Sequence, residues 1–234
     1  MLICGIDDAG RGPVIGPLVI AGILVNEDGL QNLIHLGVRD SKILSPRRRE
    51  HLAGEILRVV KDYRVIKVSP SEIDRVVEAG RRLNRLNRLE ARVMAYIIRE
   101  LKPDVVYVDA SDILPERFKQ HILEEVPFQV EVISEHKADK TYPVVSAASI
   151  IAKVERDREI EELKRKYGDF GSGYAADPRT VCFLKSWIES HSSYPDFVRK
   201  SWKTVKAILK DRGAQHQKKL FDTQRNRDKA KEKR

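Results

Sequence analysis

The sequence predicts an α/β fold, a mixed sheet covered by helices, and three observations carry that reading. Two apolar runs, residues 2–8 and 18–25, follow one another closely near the N-terminus. Later short apolar runs alternate with segments of helical period. Hydrophobic residues make up 41% of 234 positions, enough for a full core in one main domain plus an extension.

Residues 2–8 read as a strand that starts at once and ends on two acids. Gly10-Arg11-Gly12-Pro13 is a turn, and 18–25 is a second, wholly apolar strand. After a loop carrying Arg39-Asp40-Ser41-Lys42, Ser45 is placed as an N-cap with Pro46 at the first helical position. That helix runs to about residue 60, with Leu52, Ile56 and Val60 on one face. A strand over 64–68 follows, then a short helix capped at Ser69 or Ser71. Residues 83–101 set Leu86, Leu89, Val93, Ile97 and Leu101 along one helical stripe. The run 105–109 is a short apolar strand that terminates in an acid. A helix near 115–124, a strand near 128–133, a long helix over 143–166, and helices over 178–190 and 196–210 complete the order. From Asp211 onward, nine Lys and Arg stand against four Asp and Glu with almost no apolar residues, which reads as a disordered basic tail over 211–234.

The net charge of +9 and pI of about 9.5 suit a polyanionic partner, because Lys and Arg that neutralise phosphates release condensed counterions. Over half of that charge lies in the tail, and heavy Lys/Glu loads also serve thermostability. Cys4 and Cys182, far apart, make neither a disulfide framework nor a zinc pattern. The longest apolar stretch, 13–25, is shorter than the roughly 20 residues a membrane span needs. Asp7 and Asp8 interrupt any signal-peptide core. The expectation is a cytoplasmic protein without membrane contact, and nothing calls for more than a monomer.

The chemistry falls to four acids from three segments. Asp7 and Asp8 end the first strand, Asp109 ends the fourth, and Asp139 follows the fifth in His136-Lys137-Ala138-Asp139. Side chains leaving the ends of neighbouring strands converge on one edge of a sheet. Carboxylates that converge raise each other's pKa unless a cation holds them together. Mg²⁺ prefers carboxylate oxygens and keeps waters and phosphates as its remaining ligands. Two such ions about 3.5–4 Å apart can activate a water on one side of a phosphodiester and stabilise the leaving oxygen on the other. Any single acid after a strand is more often an N-cap or turn residue. Asp109 is the hardest to dismiss, since Val105-Val106-Tyr107-Val108 deliver it into an interior. Neighbours on a strand point to opposite faces, so Asp7 and Asp8 are expected to share a site only where the chain turns.

Gly10-Arg11-Gly12 with Gly16 is not a dinucleotide fingerprint. The spacing is off by one, and Pro13, Pro17 and a second strand stand where a helix is required. No Walker A pattern is present. A Gly-Arg-Gly loop beside metal-binding acids instead lets backbone approach a nucleic acid, with Arg11 available for phosphate.

Gly5-Ile6-Asp7-Asp8-Ala9-Gly10-Arg11-Gly12-Pro13-Val14-Ile15-Gly16-Pro17 resembles the opening signature of ribonuclease HII. Asp40-Ser41-Lys42, the Asp109 strand, Lys137-Ala138-Asp139 and Ser146-Ala147-Ala148-Ser149-Ile150-Ile151-Ala152-Lys153 recur in the family's order. Tyr167-Gly168-Asp169-Phe170-Gly171-Ser172-Gly173-Tyr174 and Ser201-Trp202-Lys203-Thr204 are similar to its archaeal branch. The resemblance covers roughly residues 1–208. It implies a ribonuclease H-like fold, a five-stranded mixed sheet flanked by helices with a helical C-terminal region, so that 1–210 is the catalytic domain. It also implies an endoribonuclease that cuts the RNA strand of RNA–DNA hybrids and the 5′ side of ribonucleotides in duplex DNA, leaving 3′-hydroxyl and 5′-phosphate ends.

Carried over by position, Asp7, Asp8, Asp109 and Asp139 are the catalytic acids and the ligands for Mg²⁺ or Mn²⁺. Gly10, Arg11, Gly12 and Tyr174 sense the 2′-hydroxyl and the RNA-to-DNA junction, the feature that separates RNA from DNA locally. Lys42, Lys137 and Lys153 line the nucleic-acid groove, and Ser146 and Ser149 present hydroxyls or N–H groups to phosphate. Their plainer alternative is close helix packing through Ala147, Ala148 and Ala152. One departure matters: the family has Glu where this chain has Asp8. The charge is kept but the reach is a methylene shorter, and misplacement of about 1 Å can cost roughly 100-fold in rate. The alternative reading is therefore a noncatalytic hybrid-binding protein. Another nuclease of the same superfold is the second rival, disfavoured by Gly-Arg-Gly and Tyr174 together. In the tail, Gln217 and Leu220 begin a sliding-clamp motif, but Thr223 and Gln224 stand where its aromatics belong, so a weak clamp contact or a nonspecific basic arm is expected.

Overall fold

A computed structural model describes residues 1–38, 45–79 and 85–214. The chain order is β1 (Ile3–Ala9), β2 (Leu18–Val25), α1 (Glu27–His35), α2 (Pro46–Val59), β3 (Asp62–Val68), α3 (Pro70–Glu78), α4 (Arg85–Leu101), β4 (Val105–Asp109), α5 (Pro115–Leu123), β5 (Glu131–Glu135), α6 (Ala138–Thr141), α7 (Pro143–Tyr167) and α8 (Pro178–Ser190). A last helix, α9, occupies 203–214.

The five strands form one sheet in the order β3-β2-β1-β4-β5. The first three are antiparallel neighbours, β1 and β2 joined by a loop and β2 and β3 by the segment that carries α1 and α2; β4 and β5 run parallel to β1 and need crossovers. Both faces are covered, so the central strands are apolar throughout rather than alternating: every residue of β2 is buried. Alternation decides instead which layer each side chain enters. Ile3 of β1 packs with Val145, Ala148 and Ile151 of α7, whereas Cys4 and Ile6 pack with Met94, Ile97 and Ile98 of α4. At Gly5 the α7 layer comes so close that a Cβ would lie 2.4 Å from the Val144 carbonyl carbon. Only glycine permits that approach, and it draws the start of α7 down onto β1.

A third core joins the C-terminal helices to the chain just after β1. Phe170, Leu184, Phe197 and Val205 enclose Val14 and Ile15, and Ile15 bridges Val198. The β1–β2 connection is thus built into the C-terminal region.

Ser45 and Ser69 cap α2 and α3 with Pro at the first position, as their sequences dictate. Two short helices were not anticipated. Asn26 caps α1 by accepting from the Gly29 N–H at 2.9 Å, with Glu27 and Asp28 in its first turn. The four-residue α6 has too short a period to announce itself. β5 lies at 131–135 instead of 128–133. The last helix was expected over 196–210; the chain there first turns, making the bridge to Ile15, and α9 then runs past 210. The expected boundary at 210 therefore falls inside a helix. Lys42 and the Gln217–Leu220 segment lie outside the described residues, as does the expectation of a disordered tail beyond 214. Among the described residues no helix is long and apolar enough to cross a membrane.

Candidate active site

The acids of β1 belong to the strand itself. Asp7 and Asp8 still pair with Ala21 and Ile20 of β2, while the parallel pairing with β4 ends at Ile6 and Val108. The expectation that a turn would bring both acids to one side is corrected by this register. They remain in a pleat and diverge: Asp7 toward α7, where Ser149 hydrogen-bonds it, and Asp8 toward α4, where Arg11 and Ser111 face it. The site straddles the end of the sheet and draws on both layers.

Asp7 is buried, and its carboxyl is held well above the ordinary range, first by that burial and then by Asp8 and Asp109; Ser149 acts in the opposite direction. Asp8 is half-buried. Desolvation raises its carboxyl, Arg11 lowers it, and the Ser111 hydroxyl donates to its Oδ1 at 3.3 Å. Asp109, at the end of β4, accepts from the Ala138 N–H at 3.2 Å. That contact depends on Lys137, a non-glycine residue in left-handed conformation (φ 59°), which turns the chain from β5 into α6. The turn also buries Asp139 in the first turn of α6. Among the described residues no three such side chains close on a single point. The donor set is nonetheless right for a divalent cation: hard oxygens, with a buried acid whose charge two neighbours disfavour and a cation would stabilise.

The Gly10-Arg11-Gly12 loop is fixed from its carbonyl side. Gly10 takes a positive φ of 87°, open to glycine and strained for other residues. Arg199, the largest fully buried side chain among the described residues, donates to the carbonyls of Gly10 (2.5 Å), Arg11 (2.7 Å) and Gly16 (3.1 Å). The Trp202 indole donates to the Gly12 carbonyl at 3.1 Å, and the Arg199 guanidinium lies 4.9 Å from its ring. Asp74 of α3 anchors this C-terminal segment by accepting from the N–H groups of Lys200 and Ser201 and from the Ser201 hydroxyl. On the other side, the Gly173 carbonyl accepts from Val14 and Ile15. Tyr174 follows at once, with Cε1 3.6 Å from where a Gly12 Cβ would be and its ring 5.4 Å from the Arg156 guanidinium.

Two expected contacts are placed elsewhere. Ser146 is fully buried and donates its hydroxyl to the Val38 carbonyl, so close packing of α7 takes it away from any phosphate. Ser149 is buried as well, lying toward Asp7 and accepting from the Lys153 ammonium at 2.8 Å. Lys137 is exposed beside the acids. Arg11 is engaged by Glu90 and Asn87 of α4 rather than free. Sequence reasoning passed over Glu90, Asn87, Ser111, Arg156 and Arg199, all polar residues on otherwise helical or loop segments.

Acids at the ends of β1 and β4, in a mixed sheet of order 3-2-1-4-5 backed by α7 and α4, define a metal-dependent nuclease of the ribonuclease H-like fold. The comparisons narrow this. The family model for ribonuclease HII matches residues 4–205. A ribonuclease HII from Pyrococcus abyssi is 50% identical over 210 residues, 89% of this chain and 91% of that protein. The crystal structure of a Pyrococcus horikoshii ribonuclease H2 superposes with a TM-score of 0.83 at 44% identity, covering 90% of this chain and 98% of that one. The Archaeoglobus fulgidus ribonuclease HII, solved in a complex with PCNA, superposes at 0.78 with 49% identity, covering 87% and 96%. The chain belongs to the ribonuclease HII family, and is an endoribonuclease for RNA–DNA hybrids.

Proposed function

We propose that this chain hydrolyses the RNA strand of hybrids and cuts on the 5′ side of ribonucleotides embedded in duplex DNA, leaving 3′-hydroxyl and 5′-phosphate ends. The observation that carries the proposal is the apposition of the acids to a loop whose carbonyl face is closed. With the carbonyls of Gly10, Arg11 and Gly12 taken by Arg199 and Trp202, the loop's recognition chemistry falls to its N–H groups beside Tyr174.

In this reading Asp7, Asp8, Asp109 and Asp139 hold divalent ions, Mg²⁺ or Mn²⁺. When bound, the ions supply positive charge at the scissile phosphate and polarise the attacking water. The remaining work is positional. Ser149 and Ser111 orient the carboxylates of Asp7 and Asp8, and the Ala138 N–H orients that of Asp109. The Gly10-Arg11-Gly12 backbone receives the ribose 2′-hydroxyl, a donor and acceptor that deoxyribose lacks. Tyr174, its ring held against Gly12, stacks on the following sugar and leaves no room for a second 2′-hydroxyl. Lys137, Lys153 and Lys42 neutralise the flanking phosphates. A sliding-clamp contact through Gln217 and Leu220 joins the proposal, supported by the Archaeoglobus complex. Removing 215–234 should then abolish clamp binding while leaving cleavage intact.

The test is cleavage of a DNA duplex containing one ribonucleotide, in Mg²⁺ and then Mn²⁺, beside an all-DNA duplex and an Asp109→Asn variant. A single cut 5′ of the ribonucleotide, missing from both controls, is the expected result. Binding without cleavage in either metal would sink the catalytic reading and leave a noncatalytic hybrid binder.

A further inference from the structure

Arg11 sits between two glycines of the loop assigned to reading the ribose, and although its side chain is 35% exposed, both terminal nitrogens are engaged by α4. One terminal nitrogen is paired with Glu90 Oε2, and the other donates to Asn87 Oδ1 at 2.7 Å. Glu90 is fully buried and Asn87 nearly so. Both lie on one face of α4, three residues apart, and Glu90 interrupts that helix's own apolar stripe between Leu86 and Val93. Asn87 passes the connection on, donating at 2.9 Å to buried Asp112, which also accepts from Arg117 and from the Leu114 N–H. Ser111, next to Asp112, donates to Asp8. A continuous polar chain thus runs from the loop after β1, through α4, to the loop after β4. It touches the site at both ends.

A carboxylate buried this completely is costly, and here the Asp8 carboxylate also faces it. A hydrophobic residue would continue the stripe at lower cost. What the acid provides is a fixed, two-point seat for a guanidinium whose backbone neighbours on both sides are glycines, residues with little stiffness of their own. Arg199 holds the loop's carbonyls, and Glu90 with Asn87 holds its one side chain.

We propose that Glu90 is a positioning residue for cleavage: through Arg11 it fixes the Gly10–Gly12 backbone against the ribose, and Arg11 is not a phosphate ligand. The proposal rests on the assignment of this loop to 2′-hydroxyl recognition.

The test uses the full chain and two readouts. In the single-ribonucleotide assay, Glu90→Ala should lower kcat by about 100-fold, the loss expected of a roughly 1 Å misplacement, with KM little changed. Glu90→Gln keeps an acceptor for Arg11 and should restore most of the rate. In an Asp109→Asn background, hybrid affinity is measured against salt with and without Arg11→Met. The slope of log affinity on log salt should stay the same, whereas removing a phosphate ligand lowers it by about 0.9. A wild-type kcat in Glu90→Ala, or a slope reduced by one phosphate in Arg11→Met, would overturn the proposal. If Glu90→Ala does not fold, Asn87→Ala, which removes the other half of the seat, takes its place, and an unchanged kcat there is equally fatal. Should the wild type itself fail to cleave, the functional reading falls first, and the salt slope still decides whether Arg11 meets phosphate.

Discussion

Replacing Arg199 by Met should cost both stability and rate, and the structure sets the size of each. The guanidinium is fully buried and serves three carbonyls, those of Gly10, Arg11 and Gly16. Burial pulls its pKa down only to about 10, so it remains charged at neutral pH. Each charge-assisted hydrogen bond contributes about 1.5–3 kcal/mol. Bonds made by one side chain do not add independently, so their joint loss is set at about 3–5 kcal/mol, the range for breaking a buried charged contact. At about 2–4 °C per kcal/mol for a chain of this size, Tm should fall by roughly 6–20 °C. Methionine fills similar volume, so the core should survive while the loop loses its seat. Arg199→Lys keeps the charge but not the fork that reaches three acceptors, and should lie between the two. Thermal melts give the first quantity. Cleavage of the single-ribonucleotide duplex below the variant's Tm gives the second, with kcat expected to fall about 100-fold. A folded Arg199→Met protein that cuts at the wild-type rate would show that the loop does not depend on its carbonyl contacts.

Three further outcomes are expected. Asp8→Glu restores the family's acid and its reach, and should raise kcat in Mg²⁺ by up to about 100-fold; a titration showing equal or lower activity would mean the site is built around the shorter acid. Gly5→Ala drives a Cβ to 2.4 Å from the Val144 backbone, which cannot swing aside; denaturation in urea should show a loss near or above about 3 kcal/mol, the upper range for overpacking. Asp177, accepting from the Ser172 and Arg179 N–H groups, is held down to about 2. A depressed carboxyl stabilises the fold fully above its unfolded value near 4 and loses that contribution as pH falls toward 2. Melts across that window should steepen for the wild type and flatten for Asp177→Asn.

The fold was legible because its strands are short apolar runs with sharp ends, and the strand at 105–109 delivers Asp109 where the sequence placed it. The position of Asp109 at a strand end was legible for the same reason, whereas Asp7 and Asp8 lie within β1, two and one residues short of its end. What the sequence hid was which layer each acid enters, since that follows from β1 remaining paired with β2 through Ala9. Of the two readings open for Ser146, packing is the one its buried hydroxyl fits, bonded to the Val38 carbonyl across a sequence distance that no local pattern announces. Glu90 did leave a trace, a charge at the i+4 position inside the apolar stripe of α4, and so did Asn26 followed by two acids at the start of α1. Arg199 left none, because nothing local distinguishes a buried arginine from a solvated one.

The span between Arg11 and Arg199, 188 positions, has a temporal consequence. Synthesis proceeds from the N-terminus at about 5–20 residues per second, and contacts so distant in sequence form late. Strand β1 and its acids emerge first, yet the loop beside them stays without its carbonyl partners until the segment 199–202 has been made. A growing chain therefore carries β1 and its acids beside a loop whose seat is supplied only when the C-terminal segment arrives.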